Sequence, residues 1–306
     1  MTLRPAASDA ARCHLLLLLP RDILHTLAEQ VADPLLPARL GRLCTTCGDV
    51  RTALRPRMEL LHEQHDAAAV LCAKLRTSCT AVSAATKLEW NSCRSELTLA
   101  DCCSLGTLFG TGALSQLGTL EFHTNFIGNQ SAQALCDGLG AGSGPCLMNL
   151  MLNFNELGLP AMQALGAALA RGALPRLQSL ILGNNEIGDA GLVALCEPVR
   201  HGALPALKSL QLYANGIGDD GGRALAALGG RALPLLRDLQ LDYNNLTDAG
   251  LDAILVALQR REEGGGRLLP ALWRFSCLGN QASDCARTQA AVLDALDERR
   301  SAMSIG

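Results

Sequence analysis

The chain repeats one pattern of apolar and polar positions, about thirty residues long. From Leu177 it reads LQSLILGNNEIGDAGLVAL, from Leu207 LKSLQLYANGIGDDGGRAL, and from Leu236 LRDLQLDYNNLTDAGLDAI. The same frame fits upstream at Leu147 and Leu117, and downstream at Leu272, where it degrades. Within a unit the first segment alternates with period 2. Leu180 and Leu182 therefore point to one side of a strand, and Ser179, Ile181 and Gly183 to the other. A turn follows, and then helical spacing through Leu192 and Leu195, with a Gly202-to-Pro205 exit. Asp189, Asp219 and Asp248 stand just ahead of these helical stretches, where a carboxylate can cap the first free amides. A shorter version upstream ends in Leu97-Thr98-Leu99-Ala100-Asp101-Cys102. It puts Cys102 where later units carry Asn125, Asn155, Asn185, Asn215, Asn244 and Asn280.

The recurring Leu-x-x-Leu-x-Leu-x-x-Asn resembles the leucine-rich repeat, specifically its long, ribonuclease-inhibitor-like class. The resemblance covers residues 91–282. It implies an α/β solenoid: a curved horseshoe with a parallel sheet on the concave face, helices outside and atypical units at both ends. It also implies that the asparagines are structural, bonding to the loop backbone of neighbouring turns. The organisation expected is a disordered tail at 1–12, a helical N-terminal region at 13–90, the repeats at 91–282, and a capping helix with a tail at 283–306. The capping helix is read from the apolar spacing of Ala290, Val292, Leu293 and Leu296. An insertion at 259–267, rich in glycine and charge, reads as a solvated loop.

The first ninety residues lack the repeat. Leu19-Pro20-Arg21-Asp22-Ile23-Leu24, followed by Cys47, Val50 and Arg51, is similar to the F-box motif. That resemblance implies docking to a cullin ubiquitin-ligase adaptor through Leu19, Pro20, Ile23 and Leu24. Val50 stands where the motif usually has Trp, and the segment between its halves is longer than usual; a plain helical cap needs neither coincidence. Cys44-x-x-Cys47 followed by His62 and His65 has a zinc-like element, but the two histidines are spaced three apart and no hairpin signal joins the pairs. We therefore expect no metal and no cofactor.

Composition narrows the function. With 26 basic and 29 acidic residues the net charge is -3, and the arginines are dispersed, which leaves no basic footprint for nucleic acid. No apolar run approaches the length of a membrane span, and Leu15–Leu19, the nearest thing to one, has no cleavage signal after it. The thirteen cysteines then read as reduced, mostly buried thiols of a cytoplasmic or nuclear protein. No phosphate-binding loop, nucleophile elbow or His-Glu-x-x-His pair occurs. Glu121 and His123 face the same side of one strand, but the adjacent Asn149, Met151 and Asn153 supply no nucleophile. No enzyme activity is expected.

What remains is a surface. The outward strand positions are Glu121, His123, Met151, Asn153, Ile181, Gln211, Tyr213, Gln240, Asp242 and Arg274, with Phe154 and Tyr243 just beyond the strand ends. Both tyrosines of the chain lie there on adjacent units, and aromatics are common anchors of interfaces. The alternative is that the two rings merely pack on each other across strands. The expected function is binding of a protein partner on this face. A ligase substrate receptor is the alternative. A third is an activator of the nuclear-transport GTPase, whose family shares the repeat class but carries a long acidic tail absent here.

Overall fold

The computed structural model describes residue 60 and residues 63–90, 97–229, 232–259 and 268–303. The F-box-like residues Leu19, Pro20, Ile23 and Leu24, the Cys44/Cys47 pair, His62 and the 260–267 part of the insertion lie outside them. A helical stretch at 63–74 and α1 (Cys79–Ser83) lead into β1 (Lys87–Glu89). Helix and strand then alternate through α2 (Leu99–Gly110), β2 (Thr119–Glu121), α3 (Gly128–Asp137) and β3 (Asn149–Met151). They continue through α4 (Leu159–Ala170), β4 (Ser179–Ile181), α5 (Gly188–Arg200) and β5 (Ser209–Gln211). The last elements are α6 (Asp219–Ala226), β6 (Asp238–Gln240), α7 (Asp248–Gln259), β7 (Arg274–Ser276) and α8 (Cys285–Met303).

The strands form one parallel sheet in chain order, in register from Leu88 through Leu120, Leu150, Leu180, Leu210 and Leu239 to Phe275. Each helix carries the chain back across one side of the sheet and packs on its neighbours in sequence. The result is the open α/β solenoid of a leucine-rich-repeat protein. Three-residue strands suffice because every unit contributes the same three buried positions, as at Leu177, Leu180 and Leu182. The core is thus a set of leucine columns, extended at one end by Ala68, Leu71 and Val82 and at the other by Val292 and Leu296.

The asparagines form a ladder. Asn185 Oδ1 accepts from the amides of Asn155 and Leu157, each at 3.0 Å. Its Nδ2 donates to the carbonyls of Leu152 and Leu182, at 3.0 and 2.8 Å. Asn155, Asn244 and Asn280 reach back one unit in the same way. Buried amides of this kind must be satisfied, and here one side chain closes the turns of two units.

Two expectations fail in detail. The first unit's strand is Lys87–Glu89, not the Leu97–Leu99 alternation, and Cys102 lies inside α2 and off the ladder. Leu97-Thr98-Leu99 mimics a strand, but Thr98 and Asp101 make a reciprocal capping box that starts a helix there. The carboxylates also cap, but in the next unit. Asp189 Oδ1 accepts from Gly218 and Gly221 at the start of α6, at 2.7 and 2.8 Å. Asp219 accepts from Thr247 and Gly250 at the start of α7, and Asn129 from Gly158 and Ala161 at α4. At the equivalent place of the intervening unit stands Leu159, and α5 has no side-chain cap. Its first residue, Gly188, adopts φ +57° and hands its N–H to Asn215, whereas the capped Gly158 and Gly218 are extended.

Candidate functional site

The helix-free face of the sheet divides into three zones. At one end Lys87 pairs with Glu89 and Glu121, and hydrogen bonds to those carboxylates, Glu89 first, push its pKa up. At the other end Asp238 accepts from Ser209 and Gln240 and faces Arg274, while Asp242 accepts from the Ser276 hydroxyl and the Leu278 amide. Between them, strands β3 to β5 present Asn149, Met151, Asn153, Ser179, Ile181, Ser209, Gln211 and Tyr213, and no charge. Glu121, His123, Gln240 and Asp242 therefore belong to the two polar flanks. Met151, Asn153, Gln211 and Tyr213 form an uncharged centre. All of these side chains are half-buried.

The tyrosines do not pack on each other. Tyr213 lies across the preceding strand, so close to Gly183 that a β-carbon there would sit 2.1 Å from the ring. Tyr243 leans the opposite way, onto Gly279 of the following unit, where a β-carbon would lie 2.5 Å from it. Each ring thus occupies a niche that only glycine leaves open, and the two aromatics are splayed apart along the solenoid.

Phe154 and Tyr243 stand on a different surface from Tyr213: the rim where strands hand over to helices. Both are left-handed, at φ +61° and +55°, like Thr124, Asn184 and Ala214 at the same place in other units. The amide of each bonds to a carbonyl of the next unit, which extends the sheet ladder into the turn and enforces that conformation. Phe126, two residues further along its unit, is also left-handed at φ +51°. Phe126 and Tyr243 are 67% and 69% exposed, Phe154 44% and Leu159 37%, so this rim displays most of the chain's exposed aromatic surface. Sequence reading missed Phe126 and Leu159 because it followed period-2 alternation. Left-handed turns aim side chains where no strand period reaches.

The rims also separate charge. Segments 124–130, 154–160, 184–190, 214–220, 243–249 and 279–285 hold seven carboxylates and no Lys, Arg or His. The opposite rim, in described segments 138–148, 170–178, 200–208 and 232–237, holds Arg171, Arg176, Arg200, His201, Lys208 and Arg237 and no carboxylate. The parallel helices add their dipoles instead of cancelling them, and acids gather at their N-termini and bases at their C-termini accordingly. Arg171 shows the local form of this, donating to the Cys136 and Leu139 carbonyls at the end of α3.

Among the described residues no cluster of three His, Cys, Asp or Glu side chains is placed to hold a metal ion. Their nine cysteines are free thiols. Burial pushes Cys72, Cys102, Cys136, Cys196 and Cys277 up to about 12, which keeps them protonated and poorly nucleophilic. No described helix is long and apolar enough to cross a membrane.

Comparison with known proteins agrees with the fold. The family described as Leucine Rich repeat matches residues 174–196, 204–226 and 232–255, the three most regular units. Among matching solved structures is leiomodin-1 actin-binding site 2, at 16% identity, covering 50% of this chain and 82% of that one with a TM-score of 0.37. No curated protein matches at a significant level. The chain therefore carries leucine-rich repeats on an α/β solenoid, a class of scaffold that serves protein–protein interaction.

Proposed function

We propose that the protein is a non-enzymatic, cytoplasmic interaction module of the ribonuclease-inhibitor-like kind, which binds a protein partner on the concave face and its rim. The observation that carries this reading is the uncharged centre around Met151, Gln211 and Tyr213, set between two flanks whose charges are already paired within the chain. A partner covering that centre desolvates no unpaired charge, the condition under which an aromatic anchor contributes most. Glu121, His123, Asn153, Gln240 and Asp242 would form the polar border of the contact, and Phe154 and Tyr243 its edge.

The test is quantitative affinity capture from native extract with full-length protein and the double variant Tyr213→Ala/Tyr243→Ala. Partner recovery should fall at least tenfold, on the order of 2 kcal/mol for a pair of aromatic anchors, with the melting temperature little changed. Undiminished recovery would remove the tyrosines as anchors. The Leu19-Pro20-x-Asp22-Ile23-Leu24 motif supports a second reading, a substrate receptor of a cullin ligase. Charge substitutions at Leu19 and Ile23 should then abolish capture of the ligase adaptor and spare all other partners.

A further inference from the structure

We propose that the strand-to-helix rim, from Phe126 to Tyr243, docks an extended basic segment of a partner protein that carries apolar side chains four residues apart. The proposal rests on the reading of the chain as an interaction module and names the partner's chemistry.

Charge is the first argument. Helix dipoles account for the carboxylates in the first helical turns, such as Asp189, Asp219 and Asp248, since their pull falls off within a turn. Glu156 and Glu186 are different: they sit in the loops, three and two residues before α4 and α5, and both are exposed. In sequence, the basic residues next to the acidic segments are His123 before the first of them, Arg223, which pairs with Asp220, and Arg287 of α8. The surface around Phe154 thus carries negative charge with no cation among its own residues.

The backbone of this rim points the same way without reference to charge. At several places on this one rim the chain forgoes a locally favourable residue. Phe154 and Tyr243 hold a left-handed backbone that favours glycine or asparagine at the place where Asn184 and Gly279 stand in other units, and Phe126 does so at the place where Gly216 stands. Leu159 fills the position from which Asn129, Asp189 and Asp219 cap the next helix, and α5 goes uncapped. Thr124, Glu156 and Ala214 share the left-handed turn, so what sets Phe126, Phe154, Leu159 and Tyr243 apart is that exposed apolar side chains stand where a small or polar residue is locally favoured, and such breaches gathered on one surface mark function.

Spacing fixes the occupant. Phe154 and Tyr243 hold the same place in units three strands apart, about 14 Å at the usual strand separation. An extended chain rising about 3.3 Å per residue covers that span in four residues, with both side chains on one face. An arginine midway between them shares that face and would meet Glu156 and Glu186, whereas the residues on either side of it point away.

The probe is a fluorescein-labelled peptide, Arg-Leu-Ser-Arg-Ser-Leu-Arg, titrated by anisotropy into the full-length protein. It should bind at least tenfold tighter than the same peptide with both leucines replaced by serine. Phe126→Asn/Phe154→Asn should erase that difference without lowering the melting temperature, because asparagine tolerates the left-handed turn. Glu156→Lys/Glu186→Lys should weaken both peptides. Equal affinity of the two peptides would show charge alone and overturn the proposal, as would a leucine preference that survives the phenylalanine variant. Salt-sensitive self-association of the protein that the phenylalanine variant abolishes would assign the rim to a second copy and equally overturn it. Capture of a cellular partner without peptide binding would leave the module reading standing and remove only the rim.

Discussion

A single asparagine shows how little of this fold is negotiable residue by residue. Asn185 makes its bonds to two units while buried, so truncation strands the amides of Asn155 and Leu157 away from water. Asn185→Ala should cost about 1–3 kcal/mol, read as a lower denaturant midpoint with an unchanged slope. Asn125 and Asn215 differ because neither Oδ1 has a hydrogen-bond partner, so Asn125→Ala and Asn215→Ala strand no amide of another unit and should each cost less. The asparagines were legible in the sequence through their recurrence. Their geometry was not, because a polar residue in a turn can bond within its own unit or to the next, and spacing does not distinguish the two.

At the scale of the element, the carboxylate caps govern behaviour in acid. The Thr247 hydroxyl and the amides of Thr247 and Gly250 hold the Asp219 carboxyl below its usual range. Burial pushes Asp101 up, but the Lys74 ammonium and the Thr98 hydroxyl and amide outweigh it and leave that carboxyl lowered too. A carboxyl lowered in the folded state contributes stability that is present above its unfolded pKa and lost as pH falls through the folded one. Melting temperature should therefore hold down to about pH 4 and decline below it. Asp219→Asn keeps an acceptor, as Asn129 does, and should flatten the acid decline. Asp219→Ala should cost about 1–2 kcal/mol at neutral pH. The break in this series offers a converse test: Leu159→Asp should supply the cap that α5 lacks and raise stability by about 0.5–1 kcal/mol. Sequence placed these carboxylates beside helix starts but assigned each to its own helix. It could not show that packing brings each side chain nearer to the following one.

Across the whole molecule, the repeat was the legible part. Period-2 leucines, recurring asparagines and glycine exits were sufficient to place β2 to β7 and the open parallel sheet they form. The first unit was misframed because Leu97–Leu99 alternates while Thr98 and Asp101 start a helix, a conflict settled only by the capping box. The surface was legible in part: Met151, Gln211 and Tyr213 do stand on the open face, and no arithmetic of alternation would have found Phe126 or the Gly183 niche beneath Tyr213.

The forward-reaching caps give the molecule a direction in time as well as in space. Wherever the series is intact, the group that secures a helix start belongs to the unit translated just before it. As the chain leaves the ribosome N-terminal end first, Asp189 is in place before Gly218 and Gly221 emerge, and Asp219 before Thr247 and Gly250. Each finished turn is a template waiting for the next. The order in which the protein is made is the order in which its parts can be used.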